Sequence, residues 1–452
     1  MAQLKTDYLV VGNSAAGVTA AEYIRANDEA ASVTIVSREP YPAYGRPLIS
    51  YMIEGKTSEE KMWLKSADFY EQHGFKTIFG PEGEVTELSP DAHQVTMSDG
   101  STIEYGKCLL ATGSVPFVPP IKGLEGKKNV YSFLTLDDAK QAWAAAEAAT
   151  AQSHAEGRTS RIVVIGAGLI GLKAAEALSH HVDEVLVLEL APRILPAVLD
   201  ERGAEILQAL LENKGIYCKP GVSASELLGE ADRVTGALLT NGEQVDCDMV
   251  IAAVGVRPNS SLAVAAGAKQ GRGLICDETL RTSLPDVYAA GDLVQVTDLL
   301  DGAQRPLALW PNAMRQGKLA GMHMAGVAEA EPFEGSFAVN AVDFFETSLL
   351  TAGVINPAED SGCEVKLFVE GDRYAKFVTR DGALVGYILL NRPANAGIYT
   401  SLIEYRIPLS ELEGDVFGEA PLNIDFPQKM RWERLHKCYP SNRDQRGWKE
   451  RA

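Results

Sequence analysis

The sequence predicts an α/β protein with two Rossmann-like dinucleotide-binding domains and a C-terminal α+β domain. Two glycine-rich turns, VVGNSAAG (Val10 to Gly17) and VVIGAGLIG (Val163 to Gly171), each follow an apolar run and open a helix-like stretch. From about Phe333 the pattern changes to short β-rich runs separated by turns. Two such fingerprints in strand–turn–helix context indicate a chain that holds two dinucleotides, most simply a flavin and a nicotinamide, and hence redox chemistry.

The second fingerprint has the full glycine pattern. Gly166 permits the tight turn, Gly168 leaves room for a pyrophosphate, and Gly171 lets the helix pack on its strand. The N-terminus of that helix offers free N–H groups to the phosphates. Glu189 ends the next strand, where an acid accepts from a ribose 2′-hydroxyl and repels a 2′-phosphate. NAD(H) is therefore favoured over NADP(H), although Arg193 nearby leaves that preference open.

The first fingerprint departs from the pattern at its centre. Gly12 and Gly17 keep their places, but Ser14 occupies the middle position, where its hydroxyl could donate to a phosphate. The acid is displaced as well, because the strand Val33 to Val36 is followed by Ser37 and Arg38 before Glu39. Glu39 is the ribose candidate here, and a solvated loop acid is the alternative.

Composition narrows the partners. The net charge of −19 argues against nucleic acid as a general partner. Residues 429–452 carry eight Lys or Arg and three acids, a net of +5, which leaves −24 for the rest of the chain. This tail is either a solvated end or a docking segment for an acidic partner, with Trp432 and Trp448 as anchors. The chain contains no apolar run long enough to span a membrane, so a cytoplasmic location is expected.

The six cysteines are too scattered for a local redox or metal motif. None is spaced as CxxC or CxxxxC, which argues against a local redox dithiol, a zinc knuckle and a sequence-local iron–sulfur motif. Cys108 lies in an apolar run and is expected in the core.

The order of motifs predicts a discontinuous first domain. Residues 1–120 and 256–330 are expected to form one dinucleotide-binding domain and residues 121–255 the other, and the family resemblance that these motifs carry implies FAD for the first and NAD for the second. Residues 331–410 are expected to form an α+β interface domain, followed by a tail extension at 411–452. The Pro- and Gly-rich stretch 114–126 is interpreted as a linker.

Five separated motifs, VVGNSAAG, LLATGSVP, VVIGAGLIG, AVGVRPN and TSLPDVYAAGD, occur in an order typical of one family. The chain resembles the two-dinucleotide flavoprotein reductases of the pyridine nucleotide–disulfide oxidoreductase superfamily. Within it, the sequence is most similar to NADH:rubredoxin and ferredoxin reductases and to the flavin part of assimilatory nitrite reductase. The resemblance covers roughly residues 5–410 and implies FAD and NAD(H) as cofactors.

The resemblance also implies roles for individual residues. Asp292 would hold a ribitol hydroxyl of FAD, with Gly291 allowing close approach, and Arg46 would lie near the flavin phosphates. Further residues would line the flavin or the nicotinamide path: Thr112 and Gly113 on the flavin side of the ATG turn, Trp310 and Asn312 near the isoalloxazine, and Gly255 beside the nicotinamide.

One departure from thiol-using relatives decides the expected chemistry. Those relatives place a cysteine pair shortly after the first nucleotide unit, or one cysteine near the segment that is YPAYGRPLIS here, Tyr41 to Ser50. That segment has no cysteine, so a disulfide or sulfenate cycle has no nucleophile. We expect hydride transfer from NADH to the flavin and then one-electron transfer to another carrier.

The expected acceptor is an iron–sulfur protein, either a free rubredoxin or ferredoxin or a fixed subunit of a larger oxidoreductase. In a fixed complex, electrons could also run toward NAD⁺, and the basic tail slightly favours a stable partner. The alternatives are an NADH oxidase that reduces oxygen and a non-catalytic NADH-sensing assembly subunit. Homo- or hetero-oligomers are both compatible with the sequence.

Overall fold

The computed structural model describes residues 3–230, 232–418 and 421–431. It separates into two compact units: Met1–Ala197 with Ala204–Phe337, and Val198–Gly203 with Ala338–Ala452. None of the helices in the described ranges is long and apolar enough to cross a membrane. The predicted domain boundaries at residues 120, 255, 330 and 410 are finer than this division and stay predictions.

The first part of the larger unit, β1 to β7, begins with a βαβ motif that contains the first fingerprint. Its elements are β1 (Gln3–Val11), α1 (Ala15–Asn27), β2 (Val33–Ser37), α2 (Ile49–Ile53), α3 (Phe69–Gln72), β3 (Lys76–Phe79), β4 (Val85–Ser89), β5 (Gln94–Met97), β6 (Thr102–Leu110) and β7 (Ser114–Pro116).

The second fingerprint opens the middle part of the chain. Its elements are β8 (Val130–Tyr131), α4 (Leu136–Ala155), β9 (Arg161–Ile165), α5 (Leu169–Leu178), β10 (Glu184–Glu189), α6 (Glu201–Glu212), β11 (Ile216–Pro220), β12 (Ala224–Leu228), β13 (Gly236–Leu239), β14 (Gln244–Asp246), β15 (Met249–Ala252) and β16 (Val256–Pro258).

The chain then returns to the first part and finally builds the smaller unit. The returning elements are α7 (Ser261–Ala265), β17 (Val287–Ala289), β18 (Gln295–Thr297), β19 (Gln304–Pro306) and α8 (Trp310–Met324). The smaller unit contains β20 (Val339–Phe344), β21 (Thr347–Gly353), β22 (Cys363–Glu370), β23 (Arg373–Arg380), β24 (Ala383–Leu390) and α9 (Ala396–Glu404). Short 3₁₀ turns lie at Arg46–Leu48, Glu59–Met62, Pro81–Gly83, Pro90–Ala92, Leu409–Glu411 and Asn423–Asp425.

Two sheets carry the fingerprints. The first has the order β3-β2-β1-β6-β5-β4, with β17 beside β6, and β1 runs parallel to both β2 and β6. The second is fully parallel, with the order β11-β10-β9-β15-β8. Residues 162–165 of β9 are fully buried, as expected for a parallel strand covered on both faces. The predicted α/β class with two Rossmann-like domains is confirmed.

A close helix crossing joins the two chain segments of the first part. Helix α8 packs on α1 through Gly317 and Gly321, where a Cβ atom would lie 2.3 Å from the Ala16 carbonyl oxygen and 2.5 Å from that of Ala20. Backbone contact at that distance leaves no room for a larger residue. The crossing therefore fixes α8, which follows the Gly291–Asp292 turn, against the helix of the first fingerprint.

The stretch predicted as a linker starts as a strand. β7 pairs antiparallel with β16, so the segments that leave and re-enter the first part form a two-stranded ribbon. The Phe117 N–H extends it by donating to the Gly255 carbonyl at 2.9 Å. Only the remainder of 114–126 fits the linker interpretation.

The smaller unit is an antiparallel sheet in the order β20-β21-β24-β23-β22, with α9 packed on β24 and β21. The segment Val198–Gly203 is held in this unit by Asp200. Its carboxylate accepts from the Tyr374 hydroxyl at 2.5 Å and from Lys376 Nζ at 2.9 Å. The basic tail predicted from Lys429 onward lies outside the described residues beyond Arg431.

Candidate functional site

The first fingerprint forms a turn that only glycine fits. Gly12 has φ +118°, and a Cβ there would lie 2.2 Å from the Ala111 carbonyl oxygen. A Cβ on Gly17 would lie 1.9 Å from the carbonyl oxygen of Gly12. Ser14 precedes α1, and its hydroxyl makes no capping hydrogen bond to that helix. The hydroxyl and the free N–H groups of the first helical turn are thus available to an anion.

Glu39 and Arg46, predicted separately for ribose and phosphate, form an ion pair. The Tyr44 hydroxyl donates to the other Glu39 oxygen at 2.6 Å, and the Arg46 guanidinium lies 5.2 Å from the Tyr44 ring centroid. Each Glu39 oxygen keeps a further lone pair for a ribose hydroxyl. The predictions did not include this contact, although the seven-residue spacing lies within one loop.

Asn13 ties that loop to the fingerprint, a role the sequence did not predict. Its amide donates to the Tyr41 carbonyl at 3.3 Å and accepts from the Tyr70 hydroxyl at 3.0 Å. The Tyr70 oxygen in turn accepts from the Ala43 N–H at 3.0 Å. The available sequence signal was the asparagine directly after Gly12, because a side-chain amide both donates and accepts hydrogen bonds and can bridge two chain segments in this way.

The Gly291–Asp292 turn faces the same region. Gly291 has φ +91°, and its N–H donates to Gln316 Oε1 on α8 at 2.7 Å. Asp292 Oδ2 accepts from the Ser114 hydroxyl at 3.0 Å, and no described residue donates to Oδ1. Burial raises the pKa of Asp292, while the Ser114 hydrogen bond and the charge of Arg46 oppose that rise. The carboxylate therefore keeps an acceptor atom for a ligand hydroxyl.

Asn259, a residue that was not predicted from the sequence, fixes the ATG turn by hydrogen bonds. Thr112 Oγ1 donates to the Asn259 carbonyl at 2.7 Å, and the Asn259 N–H donates to the Gly113 carbonyl at 2.9 Å. Gly113 and Gly255 have φ values of +69° and +112°, and a Cβ on either would meet nothing within 4 Å. Both glycines thus expose backbone to open space.

Asn312 uses its amide within the protein. Its nitrogen donates to the Leu307 carbonyl at 3.2 Å, and its oxygen accepts from the Ser336 hydroxyl at 2.6 Å. These bonds anchor the start of α8, where half-buried Trp310 packs against the core of the first part. The predicted place of both residues near the isoalloxazine stays a prediction, with Asn312 acting through α8.

The second fingerprint repeats the geometry of the first. Gly166 has φ +106°, and a Cβ on Gly171 would lie 1.9 Å from the Gly166 carbonyl oxygen, whereas one on Gly168 would meet nothing within 4 Å. The Glu189 oxygens accept from the N–H groups of Ala167 and Ala191, each at 2.8 Å. These two hydrogen bonds therefore fix the glycine turn to Glu189, and the carboxylate oxygens keep further lone pairs for a ligand hydroxyl.

A buried charge cluster joins α2 to α5. Lys173 Nζ lies 3.3 Å from Glu54 Oε1 and contacts Glu176, and both carboxylate side chains are fully buried. Lys56 Nζ lies 2.6 Å from Glu54, and Lys173 Nζ lies 4.5 Å from the centroid of the Tyr51 ring. The cluster connects the segment after Arg46 with the helix of the second fingerprint.

The described cysteines are free thiols. Burial raises the pKa of Cys218, Cys247 and Cys276 to about 12, and it also raises the pKa of Cys108. At neutral pH such thiols are protonated and poor nucleophiles. Cys363 lies on β22 of the smaller unit, and Cys438 lies outside the described residues.

These features fit two dinucleotides. Each fingerprint combines a sterically obligatory glycine turn with a free helix N-terminus, and Gly168 leaves open space where a pyrophosphate would approach. On the first side, Ser14 and Asp292 Oδ1 are polar groups without partners among the described residues. A phosphate and a ribitol hydroxyl are the ligands that such a donor and acceptor suit.

Comparison with known proteins agrees with this reading. The sequence profile for pyridine nucleotide-disulphide oxidoreductases matches residues 6–317. The chain is 32% identical over 412 residues to the nitrite reductase [NAD(P)H] of Bacillus subtilis, covering 90% of this chain and 48% of that protein. It is 29% identical over 422 residues to the NADH-dependent phenylglyoxylate dehydrogenase subunit epsilon of Aromatoleum evansii, covering 93% and 96%.

A solved ferredoxin reductase from Rhodopseudomonas palustris has 26% sequence identity and a TM-score of 0.75, covering 86% of this chain and 92% of that one. The chain spans about half the length of the Bacillus nitrite reductase and nearly all of the Aromatoleum subunit. The predicted cofactors, FAD and NAD(H), and the predicted oxidoreductase class are confirmed. The chain belongs to the pyridine nucleotide-disulphide oxidoreductase family, as a flavoprotein similar to ferredoxin and rubredoxin reductases.

Proposed function

We propose that the chain transfers electrons between NAD(H) and an iron–sulfur protein through FAD, without a redox-active cysteine. The observation that carries this proposal is the lack of a thiol in the segment Tyr41 to Ser50. The described cysteines of the larger unit offer no thiolate in its place, because burial raises the pKa of Cys108, Cys218, Cys247 and Cys276. A disulfide cycle requires a thiolate, so outward electron transfer is the route that remains.

On the nicotinamide side, the chain binds and orients. The N-terminus of α5 offers N–H groups to the pyrophosphate, and the missing side chain at Gly168 allows the approach. Glu189 is proposed to accept from the 2′-hydroxyl of the adenosine ribose with the lone pairs that Ala167 and Ala191 leave free. A 2′-phosphate would meet a carboxylate already fixed in place, which favours NADH.

On the flavin side, Ser14 and Arg46 are proposed to contact the phosphates, and Glu39 the adenosine ribose. Asp292 is proposed to accept from a ribitol hydroxyl through Oδ1. FAD held by these residues would supply the chemistry that links two-electron exchange with NAD(H) to one-electron exchange with a carrier. The protein contributes the backbone at Gly113 and Gly255, where a Cβ would meet nothing within 4 Å and where the two cofactors would have room.

A fixed partner subunit is the favoured acceptor. The Aromatoleum protein, which this chain matches over 96% of its length, is named as a subunit of a dehydrogenase. In the Bacillus nitrite reductase, the matching region is about half of a longer chain. The subunit name of the first relative and the greater length of the second support a fixed partner for this chain, and in such an assembly electrons can run toward NAD⁺ as well.

Steady-state turnover of NADH separates the alternatives. The FAD-loaded chain is assayed with the iron–sulfur protein that co-purifies with it, with oxygen alone, and with an artificial one-electron dye as control. Rapid turnover with the carrier and slow turnover with oxygen is expected. Full activity with oxygen alone would identify an NADH oxidase, and no turnover with the dye would identify a non-catalytic NADH-sensing subunit.

The tail provides a second test, although its residues beyond Arg431 lie outside the described part of the chain. Its net charge of +5 opposes the acidic remainder of the chain. Deleting residues 429–452 is expected to leave FAD content and NADH-to-dye activity unchanged while weakening transfer to the partner. A partner contact of this kind weakens with salt, because exposed charges are screened beyond ~8–10 Å at ordinary ionic strength. Loss of FAD on truncation would assign the tail to the cofactor domain instead.

A further inference from the structure

A cavity of about 540 Å³ lies at the edge of the second parallel sheet opposite to the second fingerprint. Arg161, the first residue of β9, and Asp248, directly before β15, both line it, whereas Gly166 follows the other end of β9. A strand rises about 3.3 Å per residue, so the five residues of β9 separate the two edges by about 16 Å. The cavity is therefore distinct from the turn that is proposed to hold the nicotinamide dinucleotide.

Part of the cavity wall is apolar. Ala149 of α4, Val234 and Cys247 line it, and all three are buried. Sites for small molecules in proteins are typically concave, about 300–1,000 Å³ in volume, and lined by apolar groups together with a few polar groups that orient the ligand. The volume and the apolar wall fit a small organic molecule with an aliphatic part.

Two of the arginines that line the cavity have carboxylate partners within the protein. Arg158 Nη1 lies 2.6 Å from Asp248 Oδ1, and Arg158 Nε lies 2.8 Å from Glu156 Oε2. Arg161 Nε donates to Glu184 Oε2 at 2.7 Å, and its N–H donates to the second Asp248 oxygen at 2.8 Å. These contacts offset both guanidinium charges, so neither arginine attracts an anion strongly.

The two remaining charged groups of the lining, Arg233 and Asp246, are unpaired. Both residues are exposed, and neither side chain has a hydrogen bond or an ion pair with any residue that the structure describes. A carboxylate can bind a guanidinium through two parallel hydrogen bonds, and an ammonium group donates to a carboxylate. A dianion such as phosphate would instead meet repulsion from Asp246 and Asp248. One free cation and one free anion in a single cavity suit a ligand that carries both charges.

We propose that this cavity binds a zwitterionic α-amino acid with an aliphatic side chain. The carboxylate of the ligand pairs with Arg233 and its ammonium group with Asp246. Its side chain packs on Ala149, Val234 and Cys247. This site goes beyond the proposed electron transfer and contains none of the residues assigned to the two cofactor sites.

Isothermal titration of the FAD-loaded full chain with L-leucine tests the proposal. Saturating NAD⁺ is present throughout, so that the second fingerprint is already occupied. Saturable binding of leucine is expected. Isocaproate, which lacks the ammonium group, and isoamylamine, which lacks the carboxylate, are each expected to bind about tenfold or more weakly, because each loses one charged hydrogen-bonded contact. Inorganic phosphate is expected not to displace leucine.

Two substitutions locate the binding. Arg233→Gln and Asp246→Asn each remove one charge at nearly constant size, and each is expected to weaken leucine binding about tenfold or more. Arg272→Gln is the matched control, because Arg272 is also exposed but does not line the cavity. FAD content and NADH-to-dye activity are expected to be unchanged in all three variants, which also shows that they fold.

Three results would each overturn the proposal: no saturable binding of leucine to the unmodified chain, equal binding of isocaproate, or displacement of leucine by phosphate. Binding that both cavity variants retain would do so as well. The proposed electron transfer is unaffected by any of these outcomes, since the dye and carrier assays measure it separately.

Discussion

Replacing Lys173 with methionine tests the charge cluster between α2 and α5. Methionine keeps the apolar stem but removes the ammonium group, which lies 3.3 Å from Glu54 Oε1 and also contacts Glu176. Both carboxylate side chains are fully buried. The variant therefore leaves two neighbouring carboxylates inside the protein with one partner fewer.

The expected loss in the free energy of unfolding depends on the partner that Glu54 and Glu176 keep after the substitution. Removing one partner from a buried ion pair costs about 3–5 kcal/mol. Lys56 stays 2.6 Å from Glu54 and 3.8 Å from Glu176, but its side chain is 44% exposed and its charge is partly screened. We expect a loss of about 3 kcal/mol in the free energy of unfolding, the lower end of that range.

The exposed ion pair between Lys140 and Glu59 supplies the control. Its atoms lie 2.6 Å apart, and its side chains are 37% and 32% exposed. Removing Lys140 should cost about 0–1 kcal/mol, as at other surface pairs.

Urea unfolding of the FAD-loaded variants measures both effects, with midpoints compared at equal slopes because slope changes would signal an intermediate. Lys173→Met is expected to unfold at clearly lower urea than Lys140→Met, and adding Glu54→Gln should restore part of the loss. Equal midpoints for the two single variants would refute the reasoning.

Three further predictions concern Glu189, Asp292 and the buried cysteines. Glu189→Gln should narrow the preference for NADH over NADPH by about 1–3 kcal/mol, measured as the ratio of kcat/KM values, and an unchanged ratio would remove Glu189 from the ribose site. Burial raises the pKa of Asp292, so its protonated form stabilises the apoprotein at low pH and this contribution is lost as pH rises through the raised pKa. Asp292→Asn should abolish that dependence in thermal unfolding of the apoprotein while weakening FAD retention on dilution, and undiminished flavin content would count against the ribitol contact. Alkylation with iodoacetamide at about pH 8 should spare the thiols whose pKa burial raises to about 12 and leave NADH-to-dye activity intact; modification with loss of activity would contradict this for Cys218, Cys247 and Cys276.

Local patterns account for what the sequence predicted well. The glycine turns are recognisable because backbone conformation and close approach demand glycine at fixed spacings. The pattern from Asn312 to Ala325 predicts a helix, and helix α8 occupies Trp310–Met324. The β-rich run Lys366 to Val369 predicts a strand, and the strand found there is longer, Cys363–Glu370, since such runs between turns indicate a strand but not its ends.

Contacts between segments that are far apart along the chain could not be predicted from the sequence. Asn259 braces Thr112 from 147 residues away, and Lys173 meets Glu54 from 119 residues away. Nothing in either local pattern specifies such a partner, because it arises only when two strands or helices pack. The segment Val198–Gly203 likewise joins the smaller unit through Asp200, and no periodic pattern in the sequence indicates this contact.

The ribbon of β7 and β16 has a consequence for how the molecule is assembled from parts. Because the Phe117 N–H donates to the Gly255 carbonyl, residues 118–254 leave and re-enter the rest of the chain at neighbouring points. The intervening residues 118–254 could be exchanged for a tight hairpin turn without moving the ribbon ends. Retention of FAD by such a shortened chain would show that the segments predicted to bind FAD fold without the segment predicted to bind NAD(H).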